Sequence, residues 1–271
     1  MDFEAHRDQL RGVAYRMLGS LADAEDAVQE TWLRMARADT TDVRNPGGWL
    51  RTVLSRVCLD MLRQRSRAEP VPDPDPLPGA DEEFLLAEDV GRALLVVLDR
   101  LSPDERVAFV LHDVFAVPFG EIAPVVDRST ATTKKLASRA RAKVRGVPAE
   151  PVDVVRHRRV IEAFLAAARV GDVETILAVL HPDVARRADG RPEMRGARSV
   201  AEEIVVFGRD APVAELVLVD GGLGLVIAPR GCLRSVIRFT VDGDLIGGYE
   251  LISEPGRLRG LQLALVPPDL P

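Results

Sequence analysis

Between Glu69 and Ala80 the chain reads EPVPDPDPLPGA, with proline at every second position from Pro70 to Pro78. Proline locks φ and carries no backbone N–H, so this stretch cannot hold a helix and reads as an extended, semi-rigid linker. A chain of 271 residues has the length of two or three domains. The proline segment, 69–81, is the first boundary, and Pro148 with Pro151 marks a second. The expected divisions are 1–68, 82–147 and 152–267.

Residues 1–68 read as helical. Phe3, Leu10, Val13, Ala14, Met17 and Leu18 largely keep helical spacing up to a break at Gly19-Ser20. Ser20 with Asp23 forms a capping-box signal for a second helix. That helix is expected to bury Ala24, Ala27, Val28, Thr31, Trp32 and Met35 and to show Asp23, Asp26, Gln29, Glu30 and Leu33. Asn45-Pro46 starts a third helix, with Asn as N-cap and Pro at its first position. Its buried stripe is expected to be Trp49, Leu50, Val53, Leu54, Val57, Met61 and Leu62, with Arg51, Arg56, Arg63, Arg65 and Arg67 mostly outside.

Residues 82–147 are helical again. Ser102-Pro103-Asp104-Glu105 is a helix start, and Phe119–Val126 precedes a tight turn at Asp127-Arg128. The segment from Ser129 to Arg145 then carries Lys134, Lys135, Arg139, Arg141, Lys143 and Arg145 and no acid, in a chain of net charge -6. A basic second helix after a tight turn reads as a helix-turn-helix, and phosphate is the natural counter-charge. Pro124, inside the first of the two helices, removes one backbone hydrogen bond.

Residues 152–267 change character. Helices are expected at about 154–168 and 173–180, with Asp172 as N-cap of the second, and near 199–207. Strands are expected at 214–219, 224–228, 233–241, 245–253 and within 261–266, separated by Gly-containing turns. His181-Pro182-Asp183 reads as a turn and cap. This is an α+β domain.

Cys58 and Cys232 are far apart, and the histidines are scattered, so neither a disulfide scaffold nor a metal site is expected, and no cofactor is implied. No apolar run approaches a membrane span, and MDFEAHRDQL has no signal-peptide character, so no membrane partner and a cytoplasmic protein are expected.

ADAEDAVQETWLRM, NPGGWLRTVLSRVCLDMLRQR and LSPDERVAFVLHDVFAVPFGEIAPVVDRSTATTKKLASRARAKVR, in this order, resemble an ECF-type (extracytoplasmic function) sigma factor of the sigma-70 family over about 1–147. The first two blocks match the all-α sigma-2 domain and the third matches sigma-4. AFLAAARVGDVETILAVLHPDV, the Asp189-Gly190 pair and MRGARSVAEEI resemble a SnoaL-like domain, which a subgroup of these factors carries. The subgroup's DGGG-type motif is shortened here to Asp189-Gly190-Arg191, and its NPDK-type motif is replaced by Glu254-Pro255-Gly256-Arg257-Leu258. Of its linker motif only Glu69-Pro70 is present.

The resemblance implies a promoter-specificity subunit rather than an enzyme, with core RNA polymerase and promoter DNA as partners. Asp23, Asp26, Gln29, Glu30 and Leu33 match the surface that docks on the polymerase clamp. Arg44, Asn45, Arg51, Arg56 and Arg63 match the −10 element, where Trp49 either stacks on a base or packs inside. Asp60 and Arg63 match the family's Asp-x-x-Arg pattern and would pair on the helix surface. Ser129, Thr130, Thr133, Lys134, Lys135, Arg139 and Arg141 match the −35 recognition helix, with Ser129 as N-cap. Asp189, Gly190, Arg191, Pro255 and Arg257 match the regulatory C-terminal motifs. A pocket for a small molecule is expected in the last domain, and the protein is expected to be a monomer.

Two other readings stay open at this point. One is a stand-alone helix-turn-helix regulator that senses a ligand through the third domain. The other is an enzyme with a DNA-binding appendage, for which His181, Asp183, Asp189, Arg238 and Glu250 are the titratable candidates.

Overall fold

The computed structural model describes residues 2–67, 91–146 and 151–267. The proline-rich linker 69–81, the beginning of the helical segment expected from residue 82, and Pro148 lie outside the described residues. The chain forms two compact units, one from the residues up to Arg67 with Leu98–Lys143, the other from Gly91–Val97 with the residues from Val144 on.

The first unit begins with α1 (Glu4–Leu18), α2 (Leu21–Arg37) and α3 (Pro46–Arg65). Gly19 closes α1 in the left-handed conformation, and the Ser20 hydroxyl accepts the Asp23 N–H at 3.4 Å to start α2. The Asp23 carboxylate pairs with Arg65 of α3. Asn45 caps α3 through Gly48 N–H at 3.0 Å. A Cβ on Gly48 would lie 2.6 Å from the Asn45 side chain, so the tightness of this cap requires glycine there.

Leu50, Leu54, Val57, Cys58, Leu59 and Leu62 bury α3 over more than one stripe. Trp49, Val53 and Met61, expected within that stripe, are half-buried at its edges. Ser55, which faces inward, satisfies its hydroxyl on the Arg51 carbonyl at 2.7 Å. Burial pushes the Cys58 thiol up to about 12, which keeps it a neutral core group.

The chain re-enters with α4 (Arg92–Leu98), most of which belongs to the second unit. In the first unit α5 (Pro103–Phe109) runs into a π-helical turn, Val110–Val114. Next come α6 (Phe119–Val126) and α7 (Thr130–Arg145), joined by Asp127 at φ 54. α3 packs against α1 and α2 and also against α5 and α6.

The second unit adds α8 (Pro151–Val170), α9 (Val173–Val179) and α10 (Ala197–Phe207) to β1 (Leu180–Ala188), β2 (Arg191–Arg195), β3 (Ala214–Val219), β4 (Gly222–Ile227), β5 (Ser235–Asp242) and β6 (Leu245–Ile252). A short α11 (Pro255–Gly260) leads into β7 (Leu263–Leu265). The sheet order is β2-β1-β6-β5-β4-β3-β7, with β1 and β6 parallel and every other pair antiparallel. Asp220 (φ 50) and Gly221 (φ 83) turn β3 into β4, the two left-handed residues a tight hairpin needs. Phe164 of α8, Ile176 of α9 and Val200 and Ile204 of α10 pack on Val184, Ile246 and Tyr249 of the sheet.

This is the expected α+β class, but β1, β2 and α11 have no counterpart in the sequence reading. His181-Pro182-Asp183, read as a turn and cap, lies in β1. The strand hides its period because its register shifts between Leu180 and Ala185 and because one of its buried positions is a charged residue, Arg186.

α4 is held by β3 and the turn after β4. The Glu215 carboxylate accepts the N–H groups of Arg92 at 3.1 Å and Ala93 at 2.8 Å. Leu95 lies over Gly231, where an added Cβ would fall 2.4 Å from Leu95 Cδ1 at a backbone φ of 79. Gly231→Ala therefore combines overpacking with a strained backbone. We expect it to lower stability by about 1–3 kcal/mol, measured as an earlier urea midpoint of the full chain; an unchanged midpoint would contradict this packing.

Candidate functional site

On α2 the acidic face divides. Asp26 and Gln29 are exposed; Asp23, Glu30 and Leu33 are half-buried. Asp23 is engaged by Arg65, and Glu30 by Arg34 at 2.8 Å. Trp32, expected inside, is 46% exposed. It borders a surface groove with Phe3, Val28 and Gln29, and so adds an aromatic ring to this face. Its neighbour Thr31 takes the buried position instead and satisfies its hydroxyl on the Ala27 carbonyl at 2.8 Å.

Around the start of α3, Arg44 and Asn45 are exposed and Arg51 is half-buried. The two cations further along are occupied. Arg63 donates to Asp104 of α5 at 2.8 Å rather than pairing with Asp60, and Arg56 donates to the Pro124 carbonyl of α6 at 3.3 Å. Asp104 also lies 3.7 Å from Arg128. Cations of the candidate −10 element are thus held against the helices that precede α7.

On α7 the Ser129 hydroxyl accepts the Thr132 N–H at 3.2 Å, the N-cap expected for it. Thr130, Lys134 and Lys135 are exposed. Thr133 is fully buried, and its hydroxyl donates to the Ser129 carbonyl at 3.0 Å, so it is not available to a base edge. Arg141 is paired with Asp113, Lys143 with Glu105 at 2.7 Å, and Arg139 lies 3.7 Å from Glu105. Lys134 and Lys135 are thus exposed toward the N-terminal end of the helix, the end that enters a major groove in helix-turn-helix proteins, and Arg145 is exposed at its other end.

In the second unit, two segments that are distant in sequence meet. Asp189 accepts the N–H groups of Ser253 at 2.7 Å and Glu254 at 2.8 Å, and Arg257 donates to it at 2.6 Å. Arg257 also donates to Glu250 at 2.6 Å, as does Arg238. The backbone donors, then Arg257, hold the Asp189 carboxyl below its usual value. Burial raises the Glu250 carboxyl, but Arg257 and Arg238 outweigh it and leave the group below normal. Gly190 is exposed at φ 66, and Arg191 lies 3.8 Å from Glu203.

A separate cavity of about 170 Å³ lies on the helix side of the sheet. None of His181, Asp183, Asp189, Arg238 and Glu250 lines it. The carboxylates at the cavity, Glu203 and Asp210, are engaged by Arg186 and Arg234. Among the described residues there is no metal-ligating cluster, and no helix is long and apolar enough to cross a membrane.

The chain thus combines helical segments that carry exposed cations with a sheet domain. The Sigma-70 region 2 profile matches residues 3–68, and the Sigma-70, region 4 profile matches residues 91–144. The chain is 40% identical to the ECF RNA polymerase sigma factor SigJ of Mycobacterium tuberculosis H37Rv, covering 97% of this chain and 94% of that protein. It is 33% identical to a probable ECF RNA polymerase sigma factor, SigI, of Mycobacterium tuberculosis CDC 1551, covering 99% and 93%. The crystal structure of SigJ aligns at 35% identity and a TM-score of 0.47 over 95% of this chain and 97% of that one. The chain belongs to the ECF sigma factor family.

Two outcomes follow for the first unit. Asp104→Asn removes the counter-charge that occupies Arg63, so binding of single-stranded DNA by the isolated protein should rise about 3–10-fold at low salt, the worth of one or two released cations. Fluorescence anisotropy measures it, and unchanged affinity would show that Asp104 competes with nothing. For acid stability, burial raises the Glu105 carboxyl, but hydrogen bonds from Lys143 and Ser102 outweigh it and leave the group below its ordinary value. A group depressed in the folded state contributes stability above its unfolded pKa and loses it as pH falls through the folded value. Glu105→Gln should therefore flatten the loss of stability between about pH 5 and 3, read from urea midpoints across that range.

Proposed function

We propose that the chain directs core RNA polymerase to promoters, docking through the α2 face and reading DNA at two places, with the C-terminal unit regulating the activity. The observation that carries the DNA reading is the distribution of charge on α7. Lys134 and Lys135 are exposed beside a capped N-terminus, while Arg139, Arg141 and Lys143 are engaged by Glu105 and Asp113. Thr130 and Lys134 face base edges, while Lys135 and Ser129 contact phosphate. At the −10 element, Arg44, Asn45 and Arg51 meet the melted strand first. Arg56 and Arg63 follow once they leave Pro124 and Asp104. On α2, Asp26 and Gln29, joined by Trp32, offer the docking surface.

Regulation is assigned to the clasp between Asp189 and the Glu254–Arg257 segment. It joins the two places where the family's C-terminal motifs fall, Asp189-Gly190-Arg191 and Pro255–Arg257, through one carboxylate. Truncating the sheet unit is a poor test of this. The buried side chains of Ala93, Leu95, Val96 and Val97 belong to that unit, and deletion would strip their cover. Point variants leave the cover in place.

Run-off transcription with purified core polymerase on the protein's own upstream DNA tests the reading. The wild-type chain is expected to give a discrete transcript. Lys134→Ala with Lys135→Ala should weaken promoter binding by the holoenzyme and lower the slope of log affinity against log salt by about 0.9 for each phosphate that the variant leaves unneutralised. Asp189→Asn with Arg257→Ala should change transcript yield while leaving core binding intact. Absence of both a transcript and core binding would overturn the sigma-factor reading in favour of a stand-alone regulator.

A further inference from the structure

The cavity in the second unit is walled mainly by apolar side chains, among them Phe164, Leu225, Ile237 and Leu251. An apolar cavity of roughly 150 Å³ accepts one benzene ring, and this one measures about 170 Å³. Two hydroxyl-bearing residues interrupt the apolar wall. Ser235 is 7% and Tyr249 9% exposed, and neither hydroxyl has a hydrogen-bond partner among the described residues. Both hydroxyls are uncommitted within the protein, so a molecule entering the cavity would find two hydrogen-bond partners in an otherwise apolar wall.

The charges in the wall are already closed. Arg186, 5% exposed, donates its Nε to Glu203 at 2.7 Å, an Nη to the same carboxylate, and its other Nη to the Pro192 carbonyl at 3.3 Å. At the rim, Arg191 leans on Glu203 and Asp210 pairs with Arg234 at 3.2 Å. A charged ligand would lose its hydration with no free counter-charge to meet it. Burial, with the Glu203 carboxylate nearby, raises the Tyr249 phenol above its ordinary value, so it stays protonated and can donate.

We propose that this cavity binds a neutral organic molecule of about one ring in size, carrying one or two oxygens that hydrogen-bond to Ser235 and Tyr249. The inference rests on reading this unit as the regulatory domain and names the chemistry of its signal.

The test is isothermal titration of the full chain with three probes of one ring each: p-cresol, toluene and benzoate. We expect saturable one-to-one binding of p-cresol, weaker binding of toluene and none of benzoate. Tyr249→Phe and Ser235→Ala should each weaken p-cresol about 3–10-fold, the worth of one hydrogen bond, and leave toluene unchanged. Retained toluene binding shows that the cavity itself survives in each variant. Ala168→Leu, which fills the cavity from α8, should abolish binding of both neutral probes. Equal binding of benzoate, no binding of either neutral probe at millimolar concentration, or p-cresol affinity indifferent to both hydroxyls would each overturn the proposal. Core-polymerase binding by the same preparation keeps the readings apart. Core binding without p-cresol binding overturns the ligand alone; p-cresol binding without core binding overturns the sigma-factor reading alone.

Discussion

α3 forms the core of the first unit and also carries the cations proposed to meet DNA, and much else in that unit follows from the conflict. Leu54, Val57, Cys58, Leu59 and Leu62 cover most of the helix circumference, because α1 and α2 pack from one side and α5 and α6 from the other. What remains is a narrow strip, and Arg56 and Arg63 stand on it, within reach of Pro124 and Asp104. Part-exposed ion pairs of this kind are worth about 0–1 kcal/mol. Exchanging Asp104 for a DNA phosphate is therefore close to neutral in energy. The apolar contacts of α3 with α1 and α2 can stay as they are while its outer strip changes partner.

The second unit separates its chemistry by the two faces of one sheet. Residues that alternate along β5 show how: Ile237, Phe239 and Val241 turn to the helices, while Arg238, Thr240 and Asp242 turn away. β6 repeats the pattern, with Tyr249 inside and Glu250 paired outward to Arg238 and Arg257. The charged network and the cavity are thus one peptide bond apart on β6 but on opposite faces.

Helix starts were the most legible part of the fold, because capping is local chemistry. Asn45-Pro46 and Ser102-Pro103-Asp104-Glu105 announce α3 and α5 within a few residues, and Ser129 announces α7. Side-chain orientation was less legible. Trp32 and Thr31 are neighbours at the edge of the apolar face, and the small hydroxyl went inside because it could bond back to Ala27, leaving the ring outside. Thr133 went inside by the same route through Ser129. β1 is not legible in the sequence because a buried ion pair at Arg186 breaks the apolar alternation that identifies a strand. The meeting of Asp189 with Arg257 is a tertiary fact that no local pattern encodes; only resemblance to a family singled out both places.

The charge on α7 bears on how an acidic chain can carry a helix proposed to read DNA. Glu105 is the capping residue of α5, accepting the Ser102 N–H at 3.1 Å, and the same carboxylate accepts Lys143 and faces Arg139. Asp113 does the equivalent for Arg141. Two carboxylates thus offset part of the charge on the second half of the helix, where Arg139, Arg141 and Lys143 are engaged and Arg145 stays exposed. The first half keeps Lys134 and Lys135, together with the partial positive charge of a helix N-terminus. With a net charge of -6 on the whole chain, long-range attraction to DNA is weak. Useful binding depends on a partner that holds α7 and α3 against the duplex together, which is the division of labour between a specificity subunit and a polymerase core.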